Sequence, residues 1–234
     1  MTDKTHFLIT CEHGGNRIPQ RYRKFFDGFE SLLRSHRGYD RGALRVASEL
    51  ARMLDAPLVA ATTSRLLIDL NRSVGHPRLY SEATRNAPPA VREEILERCY
   101  LPYRNTIEAN IAEATRTGKK VIHISSHSFT PELNGQIRNA DIGLLYDPSR
   151  PFERSLCKRW KAGLKARAPG LKVRCNYPYM GKANGFPTYL RRRFPTDAYI
   201  GLELEINQKH VLKGDRQWRE FRSVVLETLH EAIA

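Results

Sequence analysis

At 234 residues, 41% of them apolar, the chain is long enough for one domain (1–234) with a sizeable core. No apolar run approaches the ~20 residues of a membrane span, and Met1 to His6 lack the long apolar stretch of a secretory leader, so a cytoplasmic protein with no membrane contact is expected. The net charge of +14 calls for an anionic partner, but the densest basic cluster, Arg191-Arg192-Arg193, has no alternating aromatics to stack bases, which favours a small anionic substrate over nucleic acid.

The first strand is expected over residues 5–12, an apolar run that ends in Glu12, His13, Gly14 and Gly15. Residues 20–36 read as irregular helix with Pro19 as a start signal, and Gly38 to Gly42 as a turn. Ala43, Leu44, Ala47, Leu50, Ala51 and Leu54 then share one face of a helix that stops at Pro57, before a short strand at 58–61. Residues 64–72 form another apolar run with Asp69, Asn71 and Arg72 near its exit, and 73–88, rich in polar residues, Gly and Pro, read as a surface loop of functional length. A long helix is expected over 89–116, kinked or divided by Pro102 and closed by Gly118.

A second apolar run, 120–126, has His123 within it and His127 at its exit, followed by a loop at 130–140. A strand over 142–146, a helix over 151–167, a strand over 171–177, a loop at 181–185 and a short basic helix over 186–194 come next. The last strand, 198–207, carries Glu203 and Glu205, and the last helix, 215–232, is expected to bury Trp218, Phe221, Val225 and Leu229. Strands alternating with helices imply an α/β fold with a mixed, mostly parallel sheet and helices on both faces. Such a sheet sets strand exits from distant parts of the chain side by side, where ligands bind.

Three exits carry reactive groups. His13, before two glycines that would admit a ligand closely, is the first candidate metal ligand; the alternative is a histidine that only hydrogen-bonds in a turn. His127 is the second, with His123 deeper in the strand and cast as a packed or supporting residue. Catalytic zinc takes three protein ligands and keeps one position open. A carboxylate is the natural third; Asp40, in its glycine-flanked turn, is preferred and Glu12 is the substitute. Glu205 is the candidate general base, with an ion pair to one of the many arginines as the alternative and Glu203 a weaker choice. Asn71 and Arg72 could hold a substrate carboxylate, with Asp69 steadying the arginine and Arg65 and Arg138 serving a second carboxylate. Cys11, Cys99, Cys157 and Cys175 are far apart, with no Cys-x-x-Cys pair, and read as free thiols. No Gly-x-Ser-x-Gly elbow supports a serine hydrolase.

Taken together, Cys11-Glu12-His13-Gly14-Gly15-Asn16-Arg17-Ile18-Pro19, Tyr39-Asp40-Arg41-Gly42-Ala43, the 64–72 run from Ser64 to Arg72, His127-Ser128-Phe129 and the 201–208 run from Gly201 to Gln208 resemble the N-formylglutamate amidohydrolase family, in the order expected of it. The resemblance implies a three-layer α/β/α fold like that of zinc carboxypeptidases (phosphorylase/hydrolase-like), and zinc-dependent hydrolysis of an N-acyl amino acid. It also implies an Asn-Arg grip on the substrate carboxylate, fitting Asn71 and Arg72, and a strand-borne glutamate as base, fitting Glu205. The carboxypeptidase-like relatives take two zinc ligands from His-x-x-Glu; here the third residue past His13 is Asn16, so the acidic ligand stays open between Asp40 and Glu12. The expected function is a zinc amidohydrolase acting on N-formylglutamate or a similar acidic N-acyl amino acid. The alternatives are a peptidoglycan-type or other amide substrate and, in another class, a basic nucleic-acid-binding protein.

Overall fold

The computed structural model describes residues 4–234; residues 1–3 of the N-terminal segment considered above lie outside the described residues. In chain order the first half contains β1 (Thr5–Cys11), α1 (Glu30–Arg34), α2 (Ala43–Met53), β2 (Leu58–Ala60), α3 (Pro89–Ile95) and α4 (Leu101–Arg116). The second half contains β3 (Lys120–Phe129), β4 (Glu132–Leu133), β5 (Gln136–Ile137), β6 (Ile142–Leu145), α5 (Pro151–Arg167), β7 (Val173–Cys175), α6 (Phe186–Arg193), β8 (Tyr199–Asn207) and α7 (Asp215–Ile233).

Six strands form one sheet in the order β2-β1-β3-β8-β6-β7. The pairs of β1 with β2, β1 with β3, β3 with β8 and β6 with β7 are parallel, and β6 runs antiparallel to β8. The sheet is therefore mixed and mostly parallel, as the alternation of elements implied. Side chains alternate across it: Ile9 and Cys11 of β1 face a core built with α2, α5 and α7, whereas Leu8 faces a second core built with α4, α6 and the 64–70 segment. Trp160 of α5 and Phe186 of α6 are fully buried anchors of the two cores. The protein is thus a three-layer α/β/α sandwich. Trp218, Phe221, Val225 and Leu229 of α7 are all buried, as the helical spacing predicts.

Local differences from the sequence reading have physical causes. The expected helix at 20–36 is a 3-10 turn over Gln20–Phe26 followed by the short α1, and Gly28, at φ +81°, separates them. The long helix of 89–116 is divided, as expected of Pro102, by a π turn over Leu96–Tyr100 that ends two residues before this proline, which has no N–H to continue the α ladder. The expected loop at 130–140 contains the small β4–β5 hairpin, turned by Asn134 and Gly135 at φ +53° and +76°. The 64–72 run is buried without being a strand; its turns pack against α4 and α6.

Candidate metal centre and substrate cleft

β1 delivers His13 just beyond its end, and the backbone N–H of Asp40 donates to the His13 carbonyl at 2.8 Å, fixing the turn before α2 against that exit. Gly42, at φ +86°, lets this turn fold into the first residue of α2; a β-carbon there would come within 2.7 Å of Val211. From β3, His127 reaches the same point. Its Nδ1 lies 2.8 Å from Asp40 Oδ2, and His13 Nδ1 lies 3.4 Å from that same oxygen. All three residues are buried, and one donor atom from each lies within 4.8 Å of the others. Residues 13, 40 and 127 thus converge.

The outer nitrogens of both imidazoles are held. His13 Nε2 is 2.7 Å from Asp69 Oδ1, and His127 Nε2 is 3.1 Å from Glu12 Oε2 and 2.9 Å from Ser125 Oγ. Glu12 is completely buried and accepts from Ser125 at 2.6 Å and from the Tyr103 hydroxyl at 3.1 Å. It therefore stands behind His127, on the side away from Asp40. Of the two acidic candidates, Asp40 takes the inner position and Glu12 the supporting one. Burial opposes charge on Asp40 and Glu12, but the imidazoles beside them outweigh it and hold both carboxyls far below the usual carboxylate range. Burial likewise opposes charge on His127, and its bonds to Asp40 and Glu12 overcome that, raising its imidazole well above the ordinary histidine value.

The donor set fits a divalent transition metal. Imidazole nitrogens braced from behind by carboxylates turn their free lone pairs inward, the arrangement common to metal-ligating histidines. Four ligands at about 2.0 Å around a tetrahedral ion lie about 3.3 Å apart, close to the two donor separations from Asp40. Two nitrogens and one oxygen suit zinc and leave one position open.

Glu205 sits on β8 in register with His127, 4% exposed, and its Oε2 has no hydrogen-bond partner among the described residues. Burial pushes its carboxyl up to about 8, against the pull of the His127 charge. It forms no ion pair, the alternative considered for it, among the described residues. Glu203, two residues back and opposite Ser125, is also raised by burial. His123 is spent deeper in the sheet, on Thr10 Oγ1 at 2.8 Å and the Tyr199 hydroxyl at 2.7 Å, and burial lowers its imidazole to about 4.

Above the centre opens a cleft of about 750 Å³. Asp40, Asp69 and Ser128 line it, together with residues between Pro77 and Arg85 and between Phe129 and Arg138. Arg65, Arg72 and Arg138 all line it. Arg65 is tied to Asp69 at 2.7 Å and approaches Asp40 at 3.5 Å. Arg72 donates to the Asn184 carbonyl at 2.5 Å while its Nε lies 3.9 Å from Asp69 Oδ2, and Arg138 donates to the Tyr179 hydroxyl at 3.2 Å. Asn71 does not line the cleft: its Oδ1 accepts from the Phe186 N–H at 2.5 Å. Nor does Glu205 line it.

Two readings change. Gly14 and Gly15 do not clear room for a ligand. A β-carbon would meet the Ala61 carbonyl oxygen at 2.9 Å from Gly14 and that of Thr62 at 2.5 Å from Gly15, so these glycines let the 61–62 segment pack against the β1 exit. Asp69, expected to steady an arginine, also braces His13. Ser125 and Tyr103 escaped notice; the period of two that puts Ser125 on the face of His127 was the one available signal.

Residues 5–212 match the sequence profile of the family described as N-formylglutamate amidohydrolase. A gene product from Agrobacterium tumefaciens with a solved crystal structure is 30% identical, with a TM-score of 0.82 over 97% of this chain and 90% of that one. An N-formylglutamate amidohydrolase from Ralstonia eutropha is 19% identical, with a TM-score of 0.69 over 99% of this chain and 94% of that one, a likeness of fold. No curated protein sequence matches. With the match spanning all but the two ends of the chain, the protein belongs to the N-formylglutamate amidohydrolase family.

Proposed function

We propose that the chain, as one catalytic domain, is a zinc-dependent amidohydrolase that cleaves the linear amide C–N bond of an acidic N-acyl amino acid, with N-formylglutamate as the reference substrate. The observation that carries this reading is the convergence of two braced imidazoles and one carboxylate beneath a cleft lined by arginines. His13, Asp40 and His127 would hold the ion. When bound, it would supply the Lewis acidity that activates water and polarises the amide carbonyl.

The chain's own residues do the rest. Glu205, buried and lacking a partner for Oε2, accepts the proton of the attacking water and returns it to the leaving nitrogen, yielding the free amine and a carboxylic acid. Arg72, which lines the cleft, holds one substrate carboxylate; Asn71, on the same turn, sets its direction; Arg65 and Arg138 attract the second. Free thiols at all four cysteines suit a reducing, cytoplasmic setting, and among the described residues no helix is long and apolar enough to cross a membrane.

The test is release of glutamate from N-formylglutamate by native, chelator-treated and zinc-reconstituted protein. Activity should vanish with the metal and return with it, and His127→Ala should neither retain zinc nor turn over. Full activity in metal-free protein would overturn the mechanism, and indifference to substrate charge across a panel of N-acyl amino acids would overturn the substrate class.

A further inference from the structure

Arg104 of α4 is 3% exposed and has no carboxylate partner among the described residues. A guanidinium without a counter-ion inside a protein is costly and normally excluded. Here its charge meets π faces and carbonyl oxygens. The guanidinium carbon lies 3.8 Å from the ring centre of Phe186, 4.3 Å from that of Tyr189 and 5.2 Å from that of Tyr100. One terminal nitrogen donates to the Leu70 carbonyl at 3.1 Å and to the Arg72 carbonyl at 3.4 Å. The Tyr100 hydroxyl donates to that same Arg72 carbonyl at 2.7 Å.

These two carbonyls flank Asn71 and Arg72. The turn they belong to also presents Asp69, the brace of His13, and Asp69 Oδ1 accepts from the Asn71 N–H at 3.0 Å. On its far side the turn is stitched to the start of α6, where Phe186 donates to Asn71 Oδ1. Phe186 therefore both stacks on Arg104 and holds Asn71. For packing alone, an apolar side chain of equal volume would fill the aromatic cage at lower cost. The guanidinium matters because its planar group can lie against the rings while one of its nitrogens holds two carbonyls of one turn.

We propose that Arg104 is the positioning residue of the anion clamp: its caged guanidinium fixes the 69–72 turn and so aims Arg72 at the substrate carboxylate. This rests on the reading of Arg72 as a substrate-binding group. Arg104 touches neither the substrate nor the ion; it acts through the turn.

The test uses zinc-loaded protein with Arg104→Met, which keeps the apolar chain in the cage without the donors, and Arg104→Lys, which keeps the charge without the planar group that lies against the rings. The Met variant should raise KM for N-formylglutamate, and its Kd by calorimetry on metal-free protein, about tenfold or more, the scale of losing one charge-assisted contact, with kcat within about threefold. The Lys variant should fall between, and both should bind zinc stoichiometrically. Unchanged KM and Kd in the Met variant, or equal loss of kcat and zinc content in both variants, overturns the proposal. Should the unaltered protein neither bind nor hydrolyse N-formylglutamate, the substrate reading fails on its own. Amide exchange then decides: faster exchange at residues 71 and 72 in the Met variant, with β3 unchanged, sustains Arg104 as the residue that sets the turn, and unchanged exchange there overturns it.

Discussion

Glu205→Gln separates the energetics of the candidate base from its chemistry. In the metal-free protein the Glu205 carboxyl titrates near 8, because burial withholds water from the charged form, whereas an exposed glutamate titrates near 4.5. The sign follows from linkage. A group whose proton is held more tightly in the folded chain contributes stability that is complete below the unfolded value and is lost as pH rises towards the folded one. Each pH unit inside that window removes about 1.4 kcal/mol, so raising the pH from about 5 to about 7.5 should cost the metal-free protein about 3 kcal/mol through this group alone. A glutamine side chain has nearly the same shape and no charge to bury. Urea unfolding of the unaltered protein and of E205Q, both metal-free and at matched pH values, should therefore diverge, the unaltered protein losing about 3 kcal/mol relative to E205Q across the window. Zinc should flatten the difference, since a nearby cation favours the ionised carboxylate. Parallel curves, within about 0.5 kcal/mol over the whole range, would refute the reasoning, because Glu205 would then ionise as freely in the fold as in water.

Asp69→Asn removes the charge behind His13 and should weaken zinc binding about 10- to 100-fold, measured by chelator competition, with the fold retained. Arg72→Ala should lower kcat/KM by about 10- to 100-fold, mostly through KM, the scale of one hydrogen bond to a charged group. Arg191→Met is a stability prediction. Glu153, fully buried, accepts from Arg191 Nε at 3.0 Å, and the same guanidinium donates to the Gly181 and Gly201 carbonyls. The variant leaves Glu153 with Arg150 at 3.8 Å and two backbone N–H donors, so it should cost about 1.5–3 kcal/mol in urea unfolding, and a loss under about 1 kcal/mol would show the pair to be dispensable.

The legible parts of the fold were those that carry their own punctuation. α5 runs over Pro151–Arg167, as read, because Asp147-Pro148 and Pro169-Gly170 bracket an amphipathic stretch. The β4–β5 hairpin was missed although Asn134-Gly135 is a strong turn signal, because its strands are two residues each and show no alternation. At the site, the strand exits singled out His13 and His127, and the glycine-flanked turn Asp40, the three residues that the structure brings together. What the sequence left open was the side of each imidazole on which a carboxylate would stand. Glu12 and Asp40 are equally acidic in sequence; only the packing of β1 against β3 puts Glu12 behind His127 and Asp40 before it. Asp69 likewise lies 56 residues from His13, a separation that local patterns do not reach.

The reversal of β6 within an otherwise parallel neighbourhood has a consequence for specificity. Because β6 starts beside the end of β8, with Ile142 paired to Ile206, the connection from β3 leaves and rejoins the sheet at the same rim. That excursion carries the β4–β5 hairpin and Arg138, and no sheet hydrogen bond depends on its length. Doubling such a segment adds only about 0.6 kcal/mol of closure entropy. Under the proposed role of Arg138, the grip on the second substrate carboxylate can thus be retailored by grafting or trimming this one appendage, while the His13, Asp40 and His127 scaffold stays as it is.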